Sequence, residues 1–134
     1  MDNNAIIFSK GILGFEEYTE YLILEDESSG LYYLSVKEEP SIEFVIISPH
    51  IFKEEYSPTI SESYFTDLGG GADEEFSLYL IVKLAKTMDE ITVNLQAPLL
   101  IHVERRMGVQ AILEGTRYGV KESLSRMIKG ADQC

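Results

Sequence analysis

Residues 92–118 read TVNLQAPLLIHVERRMGVQAILEGTRY. Apolar runs at 91–95, 98–103 and 109–113 are short, rich in Leu, Ile and Val, and bounded by Pro, Gly or charge. Arg105-Arg106-Met107-Gly108 reads as the turn between the last two. Runs of this length with such boundaries predict strands, because helices need longer stretches with a 3.6-residue period.

The same pattern extends toward the N-terminus. FSLYLIVKLA (76–85) and IEFVIIS (42–48) are strand-like, and the second stops at Pro49, which has no N–H to give a ladder. The runs 21–24 and 31–36 flank a polar segment that ends in Gly30, which predicts a hairpin-like connection. Residues 5–8 form a brief apolar run, and Gly11 and Gly14 predict a bend after it. This makes about eight or nine short strands at the spacing of a sandwich or barrel. Long helical repeats between strands are missing, which argues against a parallel βαβ architecture.

Two helices are predicted. In TISESYFTDL (59–68), Ile60, Tyr64, Phe65 and Leu68 recur at helical spacing, Thr59 or Ser61 supplies a cap, and Gly69-Gly70-Gly71 ends the run. Near the C-terminus, Val120, Leu124, Met127 and Ile128 fall on one helical face, and Glu122 with Arg126 forms a favourable i,i+4 pair. The fold class is therefore mostly β. We expect a small antiparallel β-barrel-like domain over residues 1–134, with one or two short helices including a C-terminal one that docks on the barrel or on a partner.

The chain has 134 residues, of which 45% are hydrophobic, enough for one core. No apolar run approaches the ~20 residues that span a bilayer. The N-terminus lacks the basic start and long apolar stretch of a secretory signal. The sole cysteine, Cys134, leaves no internal disulfide, which fits a reducing compartment, and reads as an incidental terminal thiol. Charge is distributed unevenly. Residues 1–75 hold 17 acidic and 3 basic side chains, a net of −14, whereas residues 76–134 hold 6 and 8, a net of +2. Acidity of this kind keeps a small protein soluble. It also repels phosphate, disfavouring direct nucleic-acid binding, and speeds encounter with a basic partner.

Catalytic patterns are missing. The triple glycine is followed by Ala72-Asp73-Glu74-Glu75, which repels phosphate where a phosphate loop has Gly-Lys-Ser/Thr, so it reads as a mobile loop. His50 and His102 are 52 residues apart and belong to no metal-ligand cluster. His50 reads as a strand-end residue and His102 as a strand-surface or partly buried one. A hydrolase would need one of them beside a serine and an acid, and no GxSxG elbow is present. The pairs Glu16-Glu17, Glu38-Glu39, Glu54-Glu55 and Asp89-Glu90 read as solvated charge, and Asp73-Glu74-Glu75 lacks the spacing of an EF-hand. Asn94, among apolar neighbours, is expected to bond loop backbone and to fix the bend into Pro98. No cofactor or metal is implied.

Several blocks in order resemble the flagellar assembly factor FliW family. Phe8-Ser9-Lys10-Gly11-Ile12-Leu13-Gly14-Phe15-Glu16 is similar to its F-x-x-G-[IL]-x-G-F-E signature. Leu34-Ser35-Val36 with Pro40, then Phe44 through Pro49, is similar to its next block. Asn94-Leu95-Gln96-Ala97-Pro98-Leu99 matches N-L-x-A-P-[IL], and Gly108-Val109-Gln110-Ala111-Ile112-Leu113 matches G-x-Q-x-[IL]-L, with Tyr118 at the expected place. On this resemblance Gly11, Gly14, Phe15, Glu16, Asn94, Ala97, Pro98, Gly108 and Gln110 are structural motif residues. Only seven residues precede Phe8, fewer than is common in the family, which predicts a barrel edge missing or supplied differently. Residues 53–75 match the family poorly.

The resemblance implies a cytoplasmic, non-enzymatic regulator of flagellum assembly. Such proteins bind CsrA, a small dimeric RNA-binding repressor, and relieve its block on flagellin mRNA translation. They also bind flagellin in a chaperone-like way, so that secretion of flagellin frees them for CsrA. Electrostatics would speed the encounter and aromatic anchors would supply affinity. The candidate partner-binding residues are Glu38, Glu39, Glu54, Glu55, Tyr56, Tyr64 and Phe65, with Tyr18 and Tyr21 as further anchors. The alternative is a β-barrel binding module for another basic protein or a small ligand; a ligand module would show a concave apolar cavity inside the barrel.

Overall fold

In the computed structural model, which describes residues 5–130, nine strands and two short α-helices form. The strands are β1 (Ala5–Ile7), β2 (Glu20–Asp26), β3 (Leu31–Val36), β4 (Glu43–Ile47), β5 (Phe76–Lys83), β6 (Thr92–Val93), β7 (Leu99–His102), β8 (Met107–Gln110) and β9 (Glu122–Ser123). The helices are α1 (Glu62–Asp67) and α2 (Leu124–Lys129). Seven strands close into a barrel in the order β4-β3-β2-β1-β8-β7-β5, with β5 pairing back onto β4. Closure removes the unpaired sheet edges that invite aggregation. β6 pairs with the far end of β5, and β9 pairs with β6. Every pairing is antiparallel except β1 on β8, where Ile7 lies opposite Met107.

The alternation of side chains along each strand explains the three cores. Inward-facing Ile6, Phe8, Tyr21, Leu34, Val36, Ile46, Leu99 and Ile101 fill the barrel, and Ile12 plugs it from the following loop. Outward-facing Ile47, Leu80 and Val82 are covered by Val93, Leu95, Leu124 and Met127. On a third sector, Leu100 and Val109 face outward and are covered by Leu68, Tyr64 and Phe65 from α1 and its C-cap.

Several expectations are refined. The barrel edge expected to be missing or supplied differently is formed by β1, three residues long, which pairs with both β2 and β8. Strands in the 91–113 region are shorter than the apolar runs, because the segments between them turn from one pairing partner to another. Val120 does not join the apolar face of the C-terminal helix and is 52% exposed. The preceding residues Glu122 and Ser123 instead pair with β6, and Ser123 accepts the Arg126 N–H as the cap that starts α2. The i,i+4 pair does form, Arg126 Nη2 to Glu122 Oε1 at 3.2 Å. Cys134 lies outside the described residues.

Candidate protein-interaction site

The motif residues converge on one junction. After β1 the chain turns through Gly11 (φ 70°) and Gly14 (φ 90°), both in the left-handed region open to glycine. The turn brings Leu13 N–H to Gln110 Oε1 at 2.8 Å, while Gln110 Nε2 reaches the Ala97 carbonyl at 3.5 Å. Glu16 Oε2 accepts the Gly14 N–H at 3.2 Å, and the Phe15 ring meets Phe44 edge-on with centroids 5.2 Å apart. Asn94 Oδ1 accepts the N–H groups of Gln96 (3.0 Å) and Ala97 (3.1 Å), shaping the bend into the buried Pro98. Gly108 lies against the Phe8 ring, where a Cβ would sit 2.6 Å from Cζ. Thus four blocks of sequence form one hydrogen-bonded and packed joint between the loop after β1, the approach to β7, and β8. Asn94→Ala strands two backbone donors that are largely out of solvent, so about 1–3 kcal/mol of stability should be lost. Urea unfolding should show a lower midpoint with an unchanged slope.

Beside this joint is an open groove of about 270 Å³ lined by Lys10, Leu13, Glu16, Tyr64, Val109 and Ile112. Leu13 is 69% exposed and Ile112 40%. Neither stands out in the sequence, because a single exposed aliphatic inside an apolar run looks like core.

The candidate partner-binding residues separate into distinct regions. Glu38 and Glu39 are exposed in the β3–β4 turn, beside Glu43 and near Glu20. Glu55 is exposed and Glu54 half-buried, and Glu54 N–H bonds the Met127 carbonyl at 3.0 Å, tethering this strap to α2. Tyr56 is committed to the fold: its hydroxyl donates to the Leu95 carbonyl at 2.8 Å and its ring stacks edge-on with Phe52 and Tyr118. Burial, and then the neighbouring Tyr118, raise its pKa well above the ordinary phenol range. Tyr64 and Phe65 sit half-buried on α1; the Tyr64 hydroxyl accepts the Ile112 N–H, and Phe65 packs on Phe76. Tyr18 packs half-buried on the barrel core, and Tyr21 is fully buried inside it. Tyr21 therefore serves the core and is no surface anchor. Its pKa is raised by burial and then by Glu17 and Glu16.

His102 is more buried than the sequence implied, at 2% exposure. Its Nδ1 accepts the Arg105 N–H at 3.1 Å, and Nε2 faces Glu75 Oε1 at 3.7 Å. Arg105 Nη1 donates to the Leu68 and Gly70 carbonyls, so this cluster holds the glycine-rich loop against the end of β7. His50 lies exposed in a 3₁₀ turn, Pro49–Ile51, just after β4. Among the described residues no group of His, Cys, Asp and Glu has metal-binding geometry, and no helix is long and apolar enough to cross a membrane.

The charge asymmetry of the sequence becomes spatial through the strand order. β1 to β4 are consecutive around the ring, and residues 5–47, which build them, hold nine acidic and two basic side chains; seven further acids lie at 54–75, where α1 covers β7 and β8 and Glu54 meets α2. The β1–β4 wall is thereby acidic, with a net of −7 over residues 5–47, and the acids at 54–75 carry negative charge onto the neighbouring sectors.

Comparison with known proteins agrees with this architecture. A model of the family described as FliW protein matches residues 1–124. The flagellar assembly factor FliW of Caldanaerobacter subterraneus subsp. tengcongensis is 33% identical over 132 residues, covering 97% of this chain and 88% of that one. That of Alkaliphilus metalliredigens is 31% identical, covering 96% and 83%. A crystal structure of the flagellar assembly factor FliW superposes with a TM-score of 0.86 at 31% identity, covering 92% of this chain and 87% of that one. The closed barrel, the motif junction and these relatives together place the chain in the FliW family of flagellar assembly factors.

Proposed function

We propose that this protein is a cytoplasmic, non-catalytic binding protein that antagonises the translational repressor CsrA and, in a chaperone-like role, also binds flagellin. The carrying observation is the acidic wall of β1 to β4, nine acidic against two basic side chains over residues 5–47, extended by the seven acids at 54–75. CsrA must be basic where it grips RNA, so an acidic barrel wall attracts it and speeds association. Flagellin binding in exchange for CsrA would make translation respond to the free flagellin pool, and the coupling between the two bindings is reciprocal. The reading as a small-ligand module finds less support, because the barrel interior is filled by Phe8, Tyr21, Leu34, Ile46 and Leu99, all at 0% exposure.

Gel filtration of the purified protein mixed with CsrA, with flagellin and with both tests this. A complex with each is expected at micromolar concentration, with flagellin lowering the amount of CsrA complex. Absence of any complex with either partner overturns the proposal.

A further inference from the structure

The outer wall of the barrel has three sectors, and two are covered by the chain itself. α1 and its C-cap lie over β7 and β8, and α2 with β6 lies over β4 and β5. The third sector is the outer face of β1, β2 and β3. There Ile7, Leu22, Leu24 and Tyr33 alternate with inward-facing Ile6, Tyr21, Ile23 and Leu34. These four outward residues belong to none of the three cores among the described residues. Leu24 is 53% exposed and Ile7 36%. The register makes them continuous: Leu24 lies opposite Tyr33, and Leu22, two residues away on the same face, lies opposite Ala5 of β1.

The ends of this apolar strip are acidic. Glu20 of β2 and Glu43 of β4 lie at one end, with Glu38 and Glu39 in the adjoining turn, and Asp26 lies at the other. Lys37 sits at the first end and is paired with Glu20 at 3.4 Å. An uncovered antiparallel face normally carries polar outward side chains. An apolar strip with a charged rim is instead the composition of an interface centre and border.

We propose that the outer face of β1–β3 is the docking face for the basic repressor of the preceding section, and that it receives an apolar stripe bordered by lysine or arginine. The inference rests on that functional reading and adds the surface. Glu20, Glu43 and Asp26 match the basic border, and Leu22, Leu24 and Tyr33 supply the apolar centre. The strap at Glu54–Glu55 and the groove at Leu13 are not required.

Calorimetric titration of CsrA into the wild type, Leu24→Asp and Val120→Asp tests the assignment. Val120 is as exposed as Leu24 but lies away from β1–β3, two residues after Tyr118, which packs against the second core. Leu24→Asp should weaken binding about 30-fold, the scale of a central interface residue, and Val120→Asp should change it less than about 2-fold. Hydrogen exchange of the wild type with and without CsrA provides a readout free of variants, with slowed exchange expected in β2 and β3. Wild-type affinity in a folded Leu24→Asp, or protection confined to other strands, overturns the assignment while leaving the functional proposal standing. A wild type that binds no CsrA overturns both.

Discussion

Replacing Phe8 by alanine is expected to cost about 3–5 kcal/mol, the usual penalty for emptying a buried aromatic site. Phe8 is fully buried, meets Tyr21 edge-on with ring centroids 5.3 Å apart, and rests on the bare backbone of Gly108. The ring can occupy that position only because residue 108 has no side chain. Since a domain of this size has only about 5–15 kcal/mol in hand, the variant should unfold at much lower urea. Its converse, Gly108→Ala, overpacks the same space and should lose about 1–3 kcal/mol. The two sites touch, so the double variant should lose less than the sum, and a double-mutant cycle measures the coupling.

Gly11→Ala should be nearly as damaging, at about 2–4 kcal/mol from left-handed strain plus overpacking. Gly11 has φ 70°, and a Cβ there would lie 2.6 Å from the Glu16 Cα, a backbone atom that cannot swing aside. Gly14 separates the two causes. Its φ is 90°, but a Cβ would meet nothing within 4 Å, so Gly14→Ala should show only the backbone penalty, about 1–2 kcal/mol. Equal losses at both positions, read as shifts in unfolding midpoint, would refute the close-approach explanation for Gly11. Displacing this loop also removes the Leu13 to Gln110 bond and so loosens the motif junction.

Local features of the fold were legible where their cause is local. Pro49 ends the strand before it, Gly30 closes the β2–β3 hairpin with φ 77°, and Ser61 caps α1 by accepting the Ser63 N–H. The role of Asn94 was readable because a carboxamide among apolar residues must find partners. What the sequence did not show is how distant elements meet. The closure of β5 on β4, the parallel seam between β1 and β8 and the two-residue pair β6–β9 join residues far apart in sequence and leave no local periodicity. Val120 fitted the helical face only on paper, since pairing of Glu122 and Ser123 with β6 competes with extending α2. Tyr21 reads as an interface aromatic or a core one with equal ease; its place inside the barrel is settled by strand parity. For the same reason the Leu22–Leu24 strip was invisible, because which side of a strand is covered depends on elements elsewhere in the chain.

The proposed function rests on the topology as much as on composition. Seventeen acidic side chains in residues 1–75 would mean little if the strands were shuffled around the ring. Because β1 to β4 are neighbours, nine of those acids gather on one wall, and the seven at 54–75 lie over adjoining sectors, so the wall presents a field of one sign to an approaching protein. Such a field acts mainly on association rate and weakens as salt screens it.

Stopped-flow measurement of CsrA binding to the wild-type protein at about 50 mM and about 300 mM salt tests the central claim most directly. Complex formation with an association rate that falls several-fold at the higher salt, and a dissociation rate that changes little, is the expected result. No association at either salt, or an association rate indifferent to salt, would contradict a protein whose acidic wall recruits a basic partner.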